Sequence, residues 1–186
     1  MASLIITATP VAGVKVIQRV SRGDERGSLA RLFCQKELAE AGWHSPIVQI
    51  NHTLTREPGM VRGMHFQHSP HAEMKLVSCI RGAVWDVALD LRADSTTFLQ
   101  WYAHELSADN GCALLLPEGV AHGFQVLQQN SELIYCHSAF YTPEVEDGVH
   151  PLDPELAIEW PLPPHGLSAR DQQLPFITRA FSGVRC

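Results

Sequence analysis

Hydrophobic and polar positions alternate with a period of two along much of this chain. In "AVWDVALDL" (83–91), Trp85, Val87, Leu89 and Leu91 fall on one face, and Asp86, Ala88 and Asp90 on the other. The first face is expected to pack as core, and the second presents two carboxylates to water or to a pocket. Further β-rich runs are "MKLVSCI" (74–80), "CALLLP" (112–117), "HGFQVLQ" (122–128) and "ELIYCHSAFY" (132–141). Turn signals separate them: Arg81-Gly82, "ADNG" (108–111), "PEG" (117–119) and "QNS" (129–131). Short strands at near-regular spacing predict an all-β sandwich or barrel. One short helix is expected in "CQKELAEAGW" (34–43), which is rich in helix formers and stopped by Gly42. From Thr142 onward the chain has seven prolines and is expected to wrap irregularly, with a short turn at "DPELAIEW" (153–160).

The 186 residues fit one domain, 1–186, long enough to bury a core. The net charge of −6 argues against a general nucleic-acid binder, although a few arginines in one pocket suffice for an anionic small ligand. No apolar run approaches the roughly 20 residues that span a bilayer, and the start lacks the basic and apolar regions of a signal peptide. Cys34, Cys79, Cys112, Cys136 and Cys186 form no CxxC pair and are odd in number. Reduced thiols and a cytoplasmic location are therefore expected, with no disulfide framework and no zinc ribbon.

Candidate chemistry concentrates in "GMVRGMHFQHSPHAEMKLV" (59–77). His68 and His71 fall in a proline-containing turn and are expected to be solvated. His65 has chemical neighbours: Gln67 on its own face, Lys75 on the next strand, and Arg62 three residues earlier. Base, cation and arginine together suit proton abstraction from a carbonyl-activated carbon. "GMVRGMH" (59–65) reads G-x5-H and "GCALLLPEGVAH" (111–122) reads G-x5-P-x-G-x2-H, resembling the two half-motifs of cupin barrels. Metal-binding cupins continue H-x-H, but here Gln67 supplies an amide, a poor donor for a first-row metal. His65, Glu73 and His122 remain a conceivable facial set, but their spacing fits poorly, and no metal is expected.

More specific motifs follow: "RGMHFQ", "KLVSCIRGAVWDVALDLR", "STTFLQW", "LSADNG", "LLPEGVAHGFQVL", Y-x5-Y-x-P-x2-E-x-G at 135–148, DP-x-L-x-I-x-W at 153–160 and "LSARD" at 167–171. In order and spacing, from about Gly23 to Pro175, they resemble the dTDP-4-dehydrorhamnose 3,5-epimerase family. The resemblance implies an all-β, cupin-like jelly-roll barrel and a homodimer that exchanges N-terminal strands. It also implies an enzyme without metal or organic cofactor. The implied substrate is a nucleotide-linked 4-keto-6-deoxy sugar, inverted at the carbons flanking the ketone. Such chemistry needs a base on one face of the ring, an acid on the other, and a cation near O4. By the same resemblance His65 is the base, Asp171 orients it, Tyr135 is the proton donor and Lys75 lies near O4. Tyr141 stacks on the nucleotide base, and Arg26, Gln49, Asn51, Arg62, His122 and Glu146 bind diphosphate, sugar and base. If one strand ran on from Tyr135 to Tyr141, their even spacing would put both rings on one side.

Two departures touch the nucleoside end. The family pattern D-x-R-G-x-F-x-E reads "DERGSLAR" here, so Leu29 replaces an aromatic and Arg31 a glutamate. The second exchange reverses a charge and puts donors where an acceptor stood. Cys136 stands where a lysine often follows the catalytic tyrosine.

Overall fold

The runs read as strands pair antiparallel throughout, in a computed structural model that describes residues 3–185. The strands are β1 (Leu4–Ala8), β2 (Lys15–Arg19), β3 (Arg22–Asp24), β4 (Gly27–Leu29), β5 (Gln49–Thr55), β6 (Val61–Gln67), β7 (Lys75–Arg81), β8 (Ala83–Asp90), β9 (Trp101–Ser107), β10 (Cys112–Leu116), β11 (Val120–Val126), β12 (Ser131–His137) and β13 (Glu146–Gly148). One sheet has the order β1-β2-β10-β7-β12-β5 and faces a second, β13-β6-β11-β8-β9; β3 and β4 form a separate two-stranded ribbon. This is the cupin-like jelly roll that the sequence predicts.

Alternation decides which side chains meet between the sheets. Val77, Cys79, Leu114 and Leu133 from the first sheet pack against Val84, Ala88 and Phe124 from the second. The opposite face of the first sheet, with Ile17, Leu76 and Leu115, is covered by Leu38, Ala41 and Trp43. Leu38 ends the single-turn helix α1 (Gln35–Leu38), and Gly42 closes the following 3₁₀ turn in the left-handed region at φ 101°. The proline-rich tail covers the other sheet, where Val149, Leu156 and Val184 lie on Val87, Leu89 and Leu91. Each fully buried Val, Leu or Ile contributes about 1.5–3 kcal/mol relative to exposure. No helix among the described residues is long and apolar enough to cross a membrane.

This double covering resolves the alternative left open for β8. Asp86 and Asp90 are both 0% exposed. The face they share with Ala88 turns toward the first sheet and its loops, while the other face lies under the tail. Asp90 pairs with Arg92 at 2.7 Å and accepts hydrogen bonds from the hydroxyls of Ser95 and Thr97. The supposed strand 132–141 stops at His137, so Tyr135 and Tyr141 do not share one continuous strand.

One close approach shapes the site. A Cβ on Gly63 would lie 2.5 Å from Gly123 Cα, and Gly63 has φ +121°. Only glycine satisfies both conditions. The β6–β11 register shifts beside this crossing and leaves His122 directly opposite His65.

Candidate active site

A cavity of about 400 Å³ lies between the two sheets. Arg62 and His65 enter it from β6 and His122 from β11; Asn51, Lys75 and Tyr135 enter from β5, β7 and β12 on the facing wall. The tail contributes Tyr141, Glu146 and Asp171.

His65 Nε2 lies 2.8 Å from Asp171 Oδ1. Burial pushes the Asp171 carboxyl up, but the hydrogen bond from His65 and that imidazole's charge, helped by the Gly63 N–H and the Ser168 hydroxyl, hold it below the ordinary carboxylate range. An ionised Asp171 can only accept, so Nε2 carries the proton and Nδ1 is the basic nitrogen. Tyr135, on the opposite wall, is raised well above the usual phenol range, first by burial and then by the nearby Asp86 charge. It is therefore a phenol, not a phenolate, at neutral pH. Lys75 Nζ lies 3.0 Å from Glu73 Oε1 and donates to the His65 carbonyl oxygen at 3.3 Å. A basic imidazole, a protonated phenol and an ammonium thus surround one space large enough for a sugar.

Around them, His122 Nε2 lies 2.8 Å from Asp86 Oδ2. Burial raises the Asp86 carboxyl, and the His122 interaction opposes this only in part. Glu146 pairs with Arg170 at 2.6 Å, and its hydrogen bond with Tyr141 raises that phenol. Arg62 Nε donates to Thr55 Oγ1 at 3.0 Å. Gln49 stands just outside the lining: its amide donates to Asn51 Oδ1 at 3.1 Å and accepts from the Tyr141 N–H at 3.0 Å.

Arg26 is not brought to this cavity. It sits on the β3–β4 ribbon with its side chain 85% exposed and paired with Asp24 at 2.5 Å. The same ribbon leaves Leu29 79% exposed. Arg31 is taken up by an ion pair with Glu37. Of the conceivable metal set, His65 is engaged with Asp171, His122 with Asp86, and Glu73 with Lys75 and His137. No group of three or more His, Cys, Asp or Glu among the described residues is arranged to hold a metal ion.

Three ionisable cavity residues escaped the sequence reading as parts of this site: Glu73 in this role, His137 and Arg170. Two had a usable signal. Glu73 lies two residues before Lys75 and His137 two after Tyr135, so extended backbone sets each pair on one face. Arg170 lay in the "LSARD" run, but nothing local pointed to its partner Glu146, which is distant in sequence.

The fold and the cavity define a cupin-like jelly roll with ionisable side chains around a space the size of a small molecule. Comparison with known proteins narrows that class. The sequence profile of the dTDP-4-dehydrorhamnose 3,5-epimerase family matches residues 8–179. A dTDP-4-dehydrorhamnose 3,5-epimerase of Shigella flexneri is 40% identical over 167 residues, covering 89% of this chain and 92% of that one. A dTDP-4-dehydrorhamnose 3-epimerase of Streptomyces niveus is 40% identical over 171 residues, covering 91% and 82%. Among solved structures, the dTDP-6-deoxy-D-glucose-3,5-epimerase of Legionella pneumophila Philadelphia 1, in complex with dTDP-4-keto-L-rhamnose, superposes with a TM-score of 0.91 at 37% identity, covering 98% of each chain. The chain belongs to the dTDP-4-dehydrorhamnose 3,5-epimerase family.

Proposed function

We propose that this chain is a single-domain epimerase that inverts C3 and C5 of a nucleotide-linked 4-keto-6-deoxy sugar. The observation that carries the reading is the arrangement of His65–Asp171 and Tyr135 on facing walls of one cavity, with the Lys75 ammonium beside them. His65 Nδ1 takes the proton from a carbon next to the ketone, and the electron pair moves to O4 to form an enolate. Lys75 donates to that oxygen, where charge develops. The Tyr135 hydroxyl returns a proton from the opposite face, which restores the ketone with inverted configuration. The proton on His65 and the one missing from Tyr135 then exchange with water, and the cycle repeats at the other carbon. Asp171 stays ionised and holds the imidazole in its working tautomer, as the carboxylate does in a hydrolase triad. None of these steps draws on a cofactor.

In this reading Arg62 meets the diphosphate, Asn51, Gln49 and His122 meet the sugar, and Tyr141 stacks on the base beside Glu146. The exposed Arg26–Leu29 end of the β3–β4 ribbon serves the cavity of a second copy, in a homodimer formed by N-terminal strand exchange. Leu29 and Arg31 relax or alter the preference for thymine.

Incubation with dTDP-4-keto-6-deoxyglucose in D2O tests the reaction. Deuterium at both C3 and C5 is expected. Label at C3 alone would make this a 3-epimerase, the activity named for the Streptomyces niveus relative. No label at either carbon with dTDP-, UDP-, CDP- or GDP-linked substrates would overturn the proposal.

A further inference from the structure

Behind Lys75 the cavity wall holds two more ionisable groups. Glu73, just before β7, offers one carboxylate oxygen to Lys75 Nζ at 3.0 Å and the other to His137 Nδ1 at 2.7 Å. All three side chains are at least nine-tenths buried. A carboxylate only accepts, so His137 donates from Nδ1, and its Nε2 faces Asn51 Nδ2 at 3.4 Å. The His137 ring also stacks on Tyr135, with centroids 6.1 Å apart and planes at 17°. The imidazole is thus held from three sides and in turn holds Glu73.

The consequence falls on Lys75. An ammonium has three N–H donors. One points at Glu73 and one at the His65 carbonyl, which leaves one to point into the cavity. A free lysine has many rotamers and no preference for that direction. A buried ammonium without a counter-charge also gives up its proton readily, and neutral lysine stabilises an oxyanion far less. We propose that Glu73 and His137 are positioning residues for Lys75, with Glu73 fixing the ammonium beside the reacting ketone and keeping it charged while His137 locks Glu73 in place. This rests on the reading of Lys75 as the group that faces O4. Burial pushes the Glu73 carboxyl up, yet the hydrogen bond from His137 and the Lys75 charge bring it below the ordinary range, so the counter-charge is present at neutral pH. The other titratable groups facing the cavity are Arg62 and His65 from β6, His122 from β11 and Tyr135 from β12. From the tail come Asp171, Tyr141 and the Arg170–Glu146 pair. Of all these, only Lys75 and His137 touch Glu73.

Glu73→Gln keeps the size and removes the charge. Its kcat should fall at least about tenfold with KM within about threefold, because a transition-state interaction is lost and ground-state binding is not. The alkaline limb of kcat should move to lower pH by about one unit or more. Glu73→Asp, which keeps the charge, should hold the limb at its wild-type position. In a Lys75→Gln background, adding Glu73→Gln should cost less than about a further threefold, since coupled residues are not additive. Wild-type kcat and an unmoved limb in Glu73→Gln, or full additivity with Lys75→Gln, would overturn the inference while leaving the epimerase reading intact. If the wild type itself exchanges no deuterium, the epimerase reading fails instead. The inference is then decided by NMR of the Lys75 ε-carbon across pH: a lower midpoint in Glu73→Gln supports it, and an unchanged one overturns it.

Discussion

His65 and Asp171 are 106 residues apart in the chain, and their side chains meet at 2.8 Å. The pairing exists because the tail returns across β6 and places the 3₁₀ turn Asp171–Gln173 over its middle. Asp171→Asn should disable the pair without disturbing the packing. An amide can donate to Nε2, which would move the imidazole proton to Nδ1, where the base must be free. We expect kcat to fall at least about 10²-fold with KM within about threefold, measured by steady-state kinetics and by deuterium incorporation. The pair also bears on stability. The folded Asp171 carboxyl lies below its ordinary 3.8, so its contribution is present above 3.8 and is lost as pH falls through the folded value. As pH falls below about 3.8, denaturant titrations should show the wild type losing more stability than Asp171→Asn.

Tyr135→Phe separates the two halves of the proposed reaction. His65 can still remove a proton, but nothing returns one from the opposite face. Epimerised product should fall at least about 10²-fold. Deuterium should still enter the substrate with retained configuration, which NMR of recovered sugar would reveal. Equal loss of inversion and exchange would assign Tyr135 a different role.

The ribbon carrying Arg26 does not line the cavity between the sheets of its own chain, which predicts a site completed by a second copy. Purified protein should sediment as a dimer of 20.6 kDa chains. Arg26→Ala and His65→Ala should each be nearly inactive alone. Mixed after reversible dissociation, they should recover roughly a quarter of wild-type activity, because half the random dimers are mixed and each has one intact site. A monomer at micromolar concentration, or no recovery on mixing, would refute strand exchange.

Glu37 anchors the start of β1. Its carboxylate accepts hydrogen bonds from the Ser3 and Leu4 N–H groups at 2.8 and 3.0 Å and pairs with Arg31. The Ser3 bond leads the forces that hold it down from the usual 4.5 to about 2, followed by the Arg31 bond and then the Leu4 bond. A depressed carboxylate stabilises above its unfolded value, so the anchor should be intact above pH 4.5 and lost as pH falls toward 2. Glu37→Gln should show faster hydrogen exchange at the Ser3 and Leu4 amides at pH 7, with the strands other than β1 unaffected. Equal protection in variant and wild type would count against the anchor.

Period-two patterning was enough to mark β7, β8, β10, β11 and β12, because strand geometry sends alternate side chains to opposite faces whatever the fold. A short helix within 34–43, observed as α1 and a 3₁₀ turn, and its stop at Gly42 were legible for a similarly local reason, and the motifs around His65 and Lys75 carried the family likeness. Periodicity says which residues share a face but not what covers that face. Asp86 and Asp90 are buried because the face of β8 they share with Ala88 turns toward the first sheet, while the tail covers the opposite face. The end of β12 at His137, which takes Tyr141 off the strand, depends on where its neighbours β5 and β7 stop offering partners. The pairings that define the site, His65 with Asp171, His122 with Asp86, and Glu73 with Lys75 and His137, join segments up to 106 residues apart. Only the crossing of the chain brings such groups within hydrogen-bonding reach. Arg26 stays outside its own cavity because it sits on a separate, exposed two-stranded ribbon hydrogen-bonded to neither sheet.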